Sequence, residues 1–213
     1  MNELEIVKKI AEEVYKKGGR TFFVGGYVRD ILRNKSSNDY DIEIHNIDPS
    51  ILEDILSKYG ELIKIGASFG IYNIKGYNID IALPRIERLN GKMNHKDFTI
   101  DVNPNLDTHS AARRRDFTIN ALLQDVLTGE IIDHFNGKKD LENKIIHHVD
   151  DESFVEDPLR VLRACMFASR FEFTINNDTI KLCGKIDLSL ISKERIFEEV
   201  LEKHFDAKSD EKN

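Results

Sequence analysis

The sequence lacks several things, and each lack narrows what the chain can be. No apolar run approaches the about 18 residues needed to span a membrane. The N-terminus, MNELEIVKKIAEEVYKKGG, alternates charged and apolar residues at helical spacing and has no continuous apolar core of a signal peptide. Cysteine is nearly absent. Cys165 and Cys183 lie in apolar helical contexts and read as buried thiols, not as a disulfide, so the chain is placed in the cytoplasm. Basic residues are not in excess: the formal net charge is −7. A protein that grips a long nucleic acid by its phosphates usually carries a surplus of Lys and Arg. If this chain touches RNA, its cations must be concentrated locally or another chain must help.

What is present is a length of 213 residues, enough for one large domain or two small ones. Apolar periodicity predicts a first helix over residues 3–17, with Leu4, Val7, Ile10, Ala11 and Val14 on one face and Gly18-Gly19 as its stop. TFFVGG reads as a strand ending in a turn, VRDILRN as a short helix, and DYDIEIHNI as a strand with Tyr40, Ile42 and Ile44 on one face. Further readings are a helix over 49–59, strands at LIKIG, GIYNIKG and YNIDIAL with a tight turn at Gly76, and a long loop over 84–106. DTHSAARRRDFTINALLQD is read as one helix and VLTGEIIDHF as a hairpin around Thr128-Gly129. From Asp150 onward β signals vanish and three helical patterns follow, with a disordered tail at DAKSDEKN. The chain thus changes character near residue 143, from mixed α and β to helical.

Four stretches carry chemistry. Gly25-Gly26 follows a strand and opens a helix, where missing Cβ atoms and free N–H groups admit a phosphate, with Arg29 in reach; a plain turn is the competing reading. Asp39 and Asp41 are two apart, so on a strand they share a face and can hold a hard cation; Asp80 in NIDIAL joins them if its strand is the neighbour. The competing reading is a solvated strand face. In RRRDFTINAL, Arg115, Asp116 and Asn120 suit phosphate and ribose, against a basic surface turn with a salt bridge. In EDPLRVLR, Pro158 suits the first helical position and makes Asp157 a natural N-cap. The same spacing sets Asp157, Arg160 and Arg163 near one face. An Asp acceptor beside an Arg donor matches the Watson–Crick edges of cytosine and adenine and mismatches those of guanine and uracil.

In this order, GGYVRD, DYD, RRRDFTINAL, DHFNGKKDL, EDPLRVLRA and SKERIFEE resemble the class II (bacterial-type) tRNA nucleotidyltransferase and poly(A) polymerase family of the polymerase-β superfamily, from about residue 20 to about 200. The resemblance implies an α+β fold. Residues 1–142 would form a nucleotidyltransferase head, a mixed sheet with flanking helices, 143–205 a small all-helical neck carrying the base template, and 206–213 the tail. It implies template-independent addition of C and/or A to an RNA 3′ end, CCA-type addition to tRNA, from CTP and ATP with Mg²⁺ and release of pyrophosphate. Gly25, Gly26 and Arg29 would contact the triphosphate, Asp39 and Asp41 would bind Mg²⁺, and Asp80 would complete that site or act as base. Arg115, Asp116 and Asn120 would handle nucleotide and ribose, and Asp157 and Arg160 would template the base with Arg163 nearby. Asp133, Gly137 and Asp140 match a hinge element that links head and neck. Two departures stand out. Met166 occupies a position where the family often has Arg, and the sequence stops just after the neck, without the helical body and tail that grip tRNA. Alternative readings are therefore transfer to another acceptor (RNA tailing, a protein or a small molecule), or one subunit of a split enzyme or a nucleotide-sensing module, with a partner chain supplying the grip.

Overall fold

The computed structural model describes residues 2–37, 39–64, 70–89, 98–197 and 199. Helix α1 (Glu3–Lys16) begins with a capping box: Asn2 accepts from the Glu5 N–H, and the Glu5 carboxylate accepts from that of Asn2. Then follow β1 (Arg20–Val24), α2 (Gly26–Leu32), β2 (Tyr40–His45), α3 (Pro49–Leu56), β3 (Leu62–Lys64), β4 (Ile71–Ile74), β5 (Ile79–Ala82), β6 (Arg85–Leu89) and β7 (Phe98–Val102). The chain continues through α4 (Thr108–Arg113), a 3₁₀ turn at Thr118–Asn120, β8 (Leu123–Asp125), β9 (Ile131–Ile132), α5 (Gly137–Glu142) and β10 (Ile145–Ile146). It closes with α6 (Asp151–Val155), α7 (Leu159–Phe171), β11 (Thr174–Ile175), α8 (Asn177–Cys183) and α9 (Lys193–Phe197). No helix among the described residues is long and apolar enough to cross a membrane.

Seven strands form one mixed sheet in the order β3-β4-β5-β2-β1-β8-β9, antiparallel except where β2 runs parallel to β5. Alternation divides its two faces. Ile42, Ile44, Ile79, Ile81, Tyr72 and Ile74 turn to one side, where the apolar stripes of α1 (Ile6, Val7, Ile10, Val14) and α3 (Leu52, Ile55, Leu56) cover them. Each such side chain, fully buried, contributes on the order of 1.5–3 kcal/mol, so this face anchors the domain. The opposite face carries Asp41, Glu43 and Asp80 beside a further apolar cluster of Phe22, Val24, Ala112, Ala121 and Leu123.

A second apolar cluster joins Phe117 and Ile119 to Ile146, Phe154, Ala164 and Phe171, so the helical segment packs directly on the chain leaving α4. Asp133 caps the start of α5 by accepting from the Gly137 and Lys138 N–H groups at 2.8 and 3.0 Å. Asp140 accepts from the Thr118 hydroxyl at 2.7 Å. A Cβ on Gly137 would lie 2.2 Å from the Thr118 carbonyl oxygen, a contact only glycine escapes.

Several expectations are corrected. The helix read over DTHSAARRRDFTINALLQD stops at Arg113. Beyond it the Thr118 N–H donates to the His147 carbonyl (2.9 Å) and the Val149 N–H to that of Asp116 (3.2 Å), so tertiary pairing takes the backbone groups that a helix would use internally. Leu123–Asp125 then becomes a strand beside β1. The loop over 84–106 contains an antiparallel hairpin, β6 with β7, in register from Arg85↔Val102 to Leu89↔Phe98; residues 90–97 lie outside the described residues. β structure does not end at Asp150, because β11 pairs in parallel with β10. Cys165 and Cys183 are both free, but Cys165 is exposed and Cys183 half-buried. The predicted tail, 206–213, lies outside the described residues.

Candidate active site

β1 feeds directly into α2, and the turn between them is tight. Gly25 has φ +64°, a left-handed conformation that glycine takes without penalty. A Cβ there would stand 3.3 Å from Arg115 Nη1 and 3.7 Å from Asp41 Oδ2, so this turn brings backbone, guanidinium and carboxylate to one point. A pocket of about 320 Å³ opens at that point, with Gly25, Gly26, Arg29, Asp41, Arg115, Asp116, Asn120 and Arg163 in its wall. Met166 and Arg170 line it too, one α7 turn apart, so an arginine reaches the pocket from the turn after the expected one.

Asp41 lies on β2 in direct register with Asp80 on β5. Asp39 precedes β2 and is exposed; its carboxylate accepts from Asn78 Nδ2 at 2.6 Å. Asp80 accepts from Asn73 on β4. Burial, then the charges of Asp80 and Asp39, push the Asp41 carboxyl up to about 6, against the pull of Arg115 and Arg29. Among the described residues no three His, Cys, Asp or Glu side chains converge to enclose an ion by themselves. An oxygen-only set of clustered, mutually repelling carboxylates still suits a hard divalent cation, which binds through one or two carboxylates with substrate phosphates completing its shell.

Arg29 is 5% exposed. It pairs with Asp30 through Nε (2.9 Å) and Nη2 (2.7 Å), donates from Nη1 to Asn120 Oδ1 (2.7 Å), and lies over the Phe171 ring at 4.7 Å. Asn120 donates to Asp116 Oδ1 at 3.0 Å. Asp116 accepts from the Phe117 N–H and, on Oδ2, from Arg163 Nε (2.8 Å) and Nη2 (2.7 Å). Burial pushes the Asp116 carboxyl up, but Arg163 and Asn120 outweigh it and hold it below the usual carboxylate range. Arg163 ends the chain on the buried Glu199. A single polar line thus runs from α2 to α7.

The structure does not bring Asp157 and Arg160 into this pocket. Asp157 receives the Leu159 N–H at 3.1 Å, as a cap does, and both its oxygens face Arg195 at 3.0 Å. Arg160 donates to the carbonyls of Ser153 and Arg114, at 2.5 and 2.7 Å. A second pocket, also about 320 Å³, shares Asp41 and Arg115 with the first and is also lined by Glu43, Asp80, Arg85 and Arg114.

Residues 21–147 match the family described as Poly A polymerase head domain. The chain belongs to this family. Among curated relatives of this head domain, the Multifunctional CCA protein of Haemophilus ducreyi is 37% identical over 185 residues, covering 84% of this chain and 43% of the relative. Among solved structures, the Bacillus stearothermophilus CCA-adding enzyme in complex with CTP superposes with a TM-score of 0.68 at 28% identity, over 85% of this chain and 43% of that one. The Thermotoga maritima CCA-adding enzyme complexed with tRNA gives 0.67 at 28%, over 84% and 40%. The chain spans under half the length of these proteins.

Sequence reasoning left out several residues that line the two pockets, Glu43 and Glu199 among them. Glu43 continues the alternation of Asp39 and Asp41 by one more step, and that signal was legible. Glu199 was not, because nothing local marks a helix carboxylate that will meet Arg163.

Proposed function

We propose that this chain transfers nucleotides from CTP and ATP to an RNA 3′ end, in the manner of CCA addition to tRNA. The observation that carries the reading is the meeting of Gly25, Arg115 and Asp41 at the mouth of a pocket walled by Arg29, Asp116 and Asn120. Glycine backbone and two arginines suit a triphosphate, and a partly buried carboxylate beside them suits the reacting centre. The first pocket takes the incoming nucleotide and the second takes the acceptor end. The acceptor O3′ bonds to the α-phosphorus, the bond to the β-phosphate oxygen breaks, and pyrophosphate leaves. Asp80, exposed beside Asp41, accepts the hydroxyl proton. Arg29 and Arg115 hold the phosphates, and Asp116 and Asn120 orient the ribose. Asp39 and Asp41 would hold Mg²⁺, which when bound activates the hydroxyl and stabilises the leaving oxygens.

Incubation with tRNA lacking its 3′ CCA, and with an unrelated RNA, against each of the four triphosphates tests this reading. CTP and ATP should be incorporated on the tRNA and GTP and UTP should not. No incorporation on either RNA defeats the reading, and equal use of both RNAs removes tRNA as the specific acceptor.

For base choice, Asp157 and Arg160 are the proposed template, exchanging their contacts to Arg195 and to backbone carbonyls for the base edge. Arg160→Ala should lower the preference for CTP and ATP over GTP and UTP by about tenfold or more. The ratio of incorporation rates is the readout, since loss of folded protein alone leaves a ratio unchanged. An unaltered ratio would leave Arg160 as a tether only.

A further inference from the structure

The run Arg113-Arg114-Arg115 splits in two. Arg113 is on the surface, at 2.9 Å from Asp150 and 3.0 Å from Glu152. Arg114 and Arg115 converge instead on one atom: their Nη2 groups lie 3.2 and 3.7 Å from Glu43 Oε2. Glu43 is 1% exposed and is braced from behind. Its Oε1 faces His45 Nε2 at 3.0 Å, and His45 Nδ1 faces the Leu106 carbonyl at 2.9 Å. Beyond Glu43 the two arginines differ. Arg115 lines both pockets, the one at Gly25 and the one that holds Asp80 and Arg85, whereas Arg114 lines only the latter.

We infer that Glu43 is a positioning residue for the transfer reaction, holding Arg115 where the nucleotide and acceptor pockets meet beside Asp41 and Arg114 in the acceptor pocket. The inference rests on the nucleotidyl-transfer reading. The strand itself supplies the arrangement. Asp41 and Glu43 are two apart on β2 and share a face, so the position of the Asp41 carboxylate also fixes that of the arginine anchor. A guanidinium already fixed in a planar, bidentate-ready orientation loses little freedom when an anion arrives. Both Glu43 oxygens are engaged within the protein, Oε1 with the imidazole and Oε2 with the guanidiniums.

The test is a double-mutant cycle read by equilibrium titration of CTP, with Ca²⁺ replacing Mg²⁺ to prevent turnover. Glu43→Asp keeps the charge and withdraws it by one methylene, so it separates position from electrostatics. It should weaken CTP binding by about tenfold. In an Arg115→Ala background the same change should have no further effect, because the group it positions is gone. If Glu43→Asp does not fold at the assay temperature, the isosteric Glu43→Gln carries the same cycle. A purely structural role lowers the melting temperature and leaves the affinity of folded protein unchanged; that result, or equal losses in both backgrounds, overturns the inference. A wild-type chain that binds no CTP overturns the transfer reading and this inference with it.

Discussion

Asp41→Asn is expected to abolish nucleotide incorporation and to make the ligand-free protein more stable. Both effects have one cause. In the folded state burial and the neighbouring Asp80 and Asp39 raise the Asp41 carboxyl from 3.8 to about 6. A group whose folded pKa is raised binds its proton more tightly when folded. Stability is therefore withdrawn as pH climbs through the window from 3.8 to about 6, and the full penalty applies above it. At neutral pH it amounts to roughly 3 kcal/mol. The asparagine carries no charge and escapes it. Its Tm near pH 7 should exceed the wild type by about 5–10 °C, and the gap should close as the pH falls toward about 4. Added Mg²⁺ should raise the wild-type Tm and leave that of Asp41→Asn nearly unchanged, since only the wild type gains a cation-binding free energy. Incorporation should fall at least about a thousandfold, as expected when a carboxylate that would hold the activating cation is removed. A variant that melts at or below the wild-type temperature at neutral pH would show that Asp41 is not under charge repulsion. One that still incorporates nucleotide would remove Asp41 from the reaction.

Asp116→Ala should have the opposite effect on stability. Asp116 is buried and joins Arg163, Asn120 and the Phe117 N–H, at the seam where the sheet domain meets α7. Truncation leaves the Arg163 guanidinium facing Glu199 alone, with its Nε and Nη2 donors unmatched. Breaking one side of a buried ion pair typically costs about 3–5 kcal/mol. For a chain of this size that lowers Tm by about 10 °C or more. The isosteric Asp116→Asn should lose less, because it keeps an acceptor oxygen for Arg163. Thermal melts of the two variants decide the matter. A drop of less than about 2 °C for Asp116→Ala would mean that this line of contacts is not structural. Activity should be lost in Asp116→Ala whatever the temperature, since Arg29 is held through Asn120 to the same carboxylate.

Local signals were sufficient wherever the chain could satisfy itself. The apolar stripe of α1, the glycine at each end of the β1–α2 turn, and the alternation of β2 all follow from spacing, and each occurs where spacing puts it. They failed where the backbone found distant partners. The stretch after Arg113 has the composition of a helix and still unwinds, because residues 147–149 offer its N–H and C=O groups an alternative ladder. The loop over 84–106 concealed a hairpin because its polar residues hide a period of two in RIERL and FTIDV.

The sequence by itself supplied the short patterns that meet at the candidate site, a glycine turn, alternating acids and an arginine run ending in aspartate, while Asp157 and Arg160, read from the start of a helix, lie outside its pocket. These are short-range patterns, fixed by one strand or one helical turn. Only the tertiary structure decided how they meet. The parallel pairing of β2 with β5 sets Asp80 beside Asp41, and Glu43 draws Arg114 and Arg115 to one carboxylate. Arg163 joins Asp116, whereas Asp157 turns to Arg195. The reason is physical: these are charge contacts between elements far apart in the chain, and which pairs form depends on the packing that desolvates them.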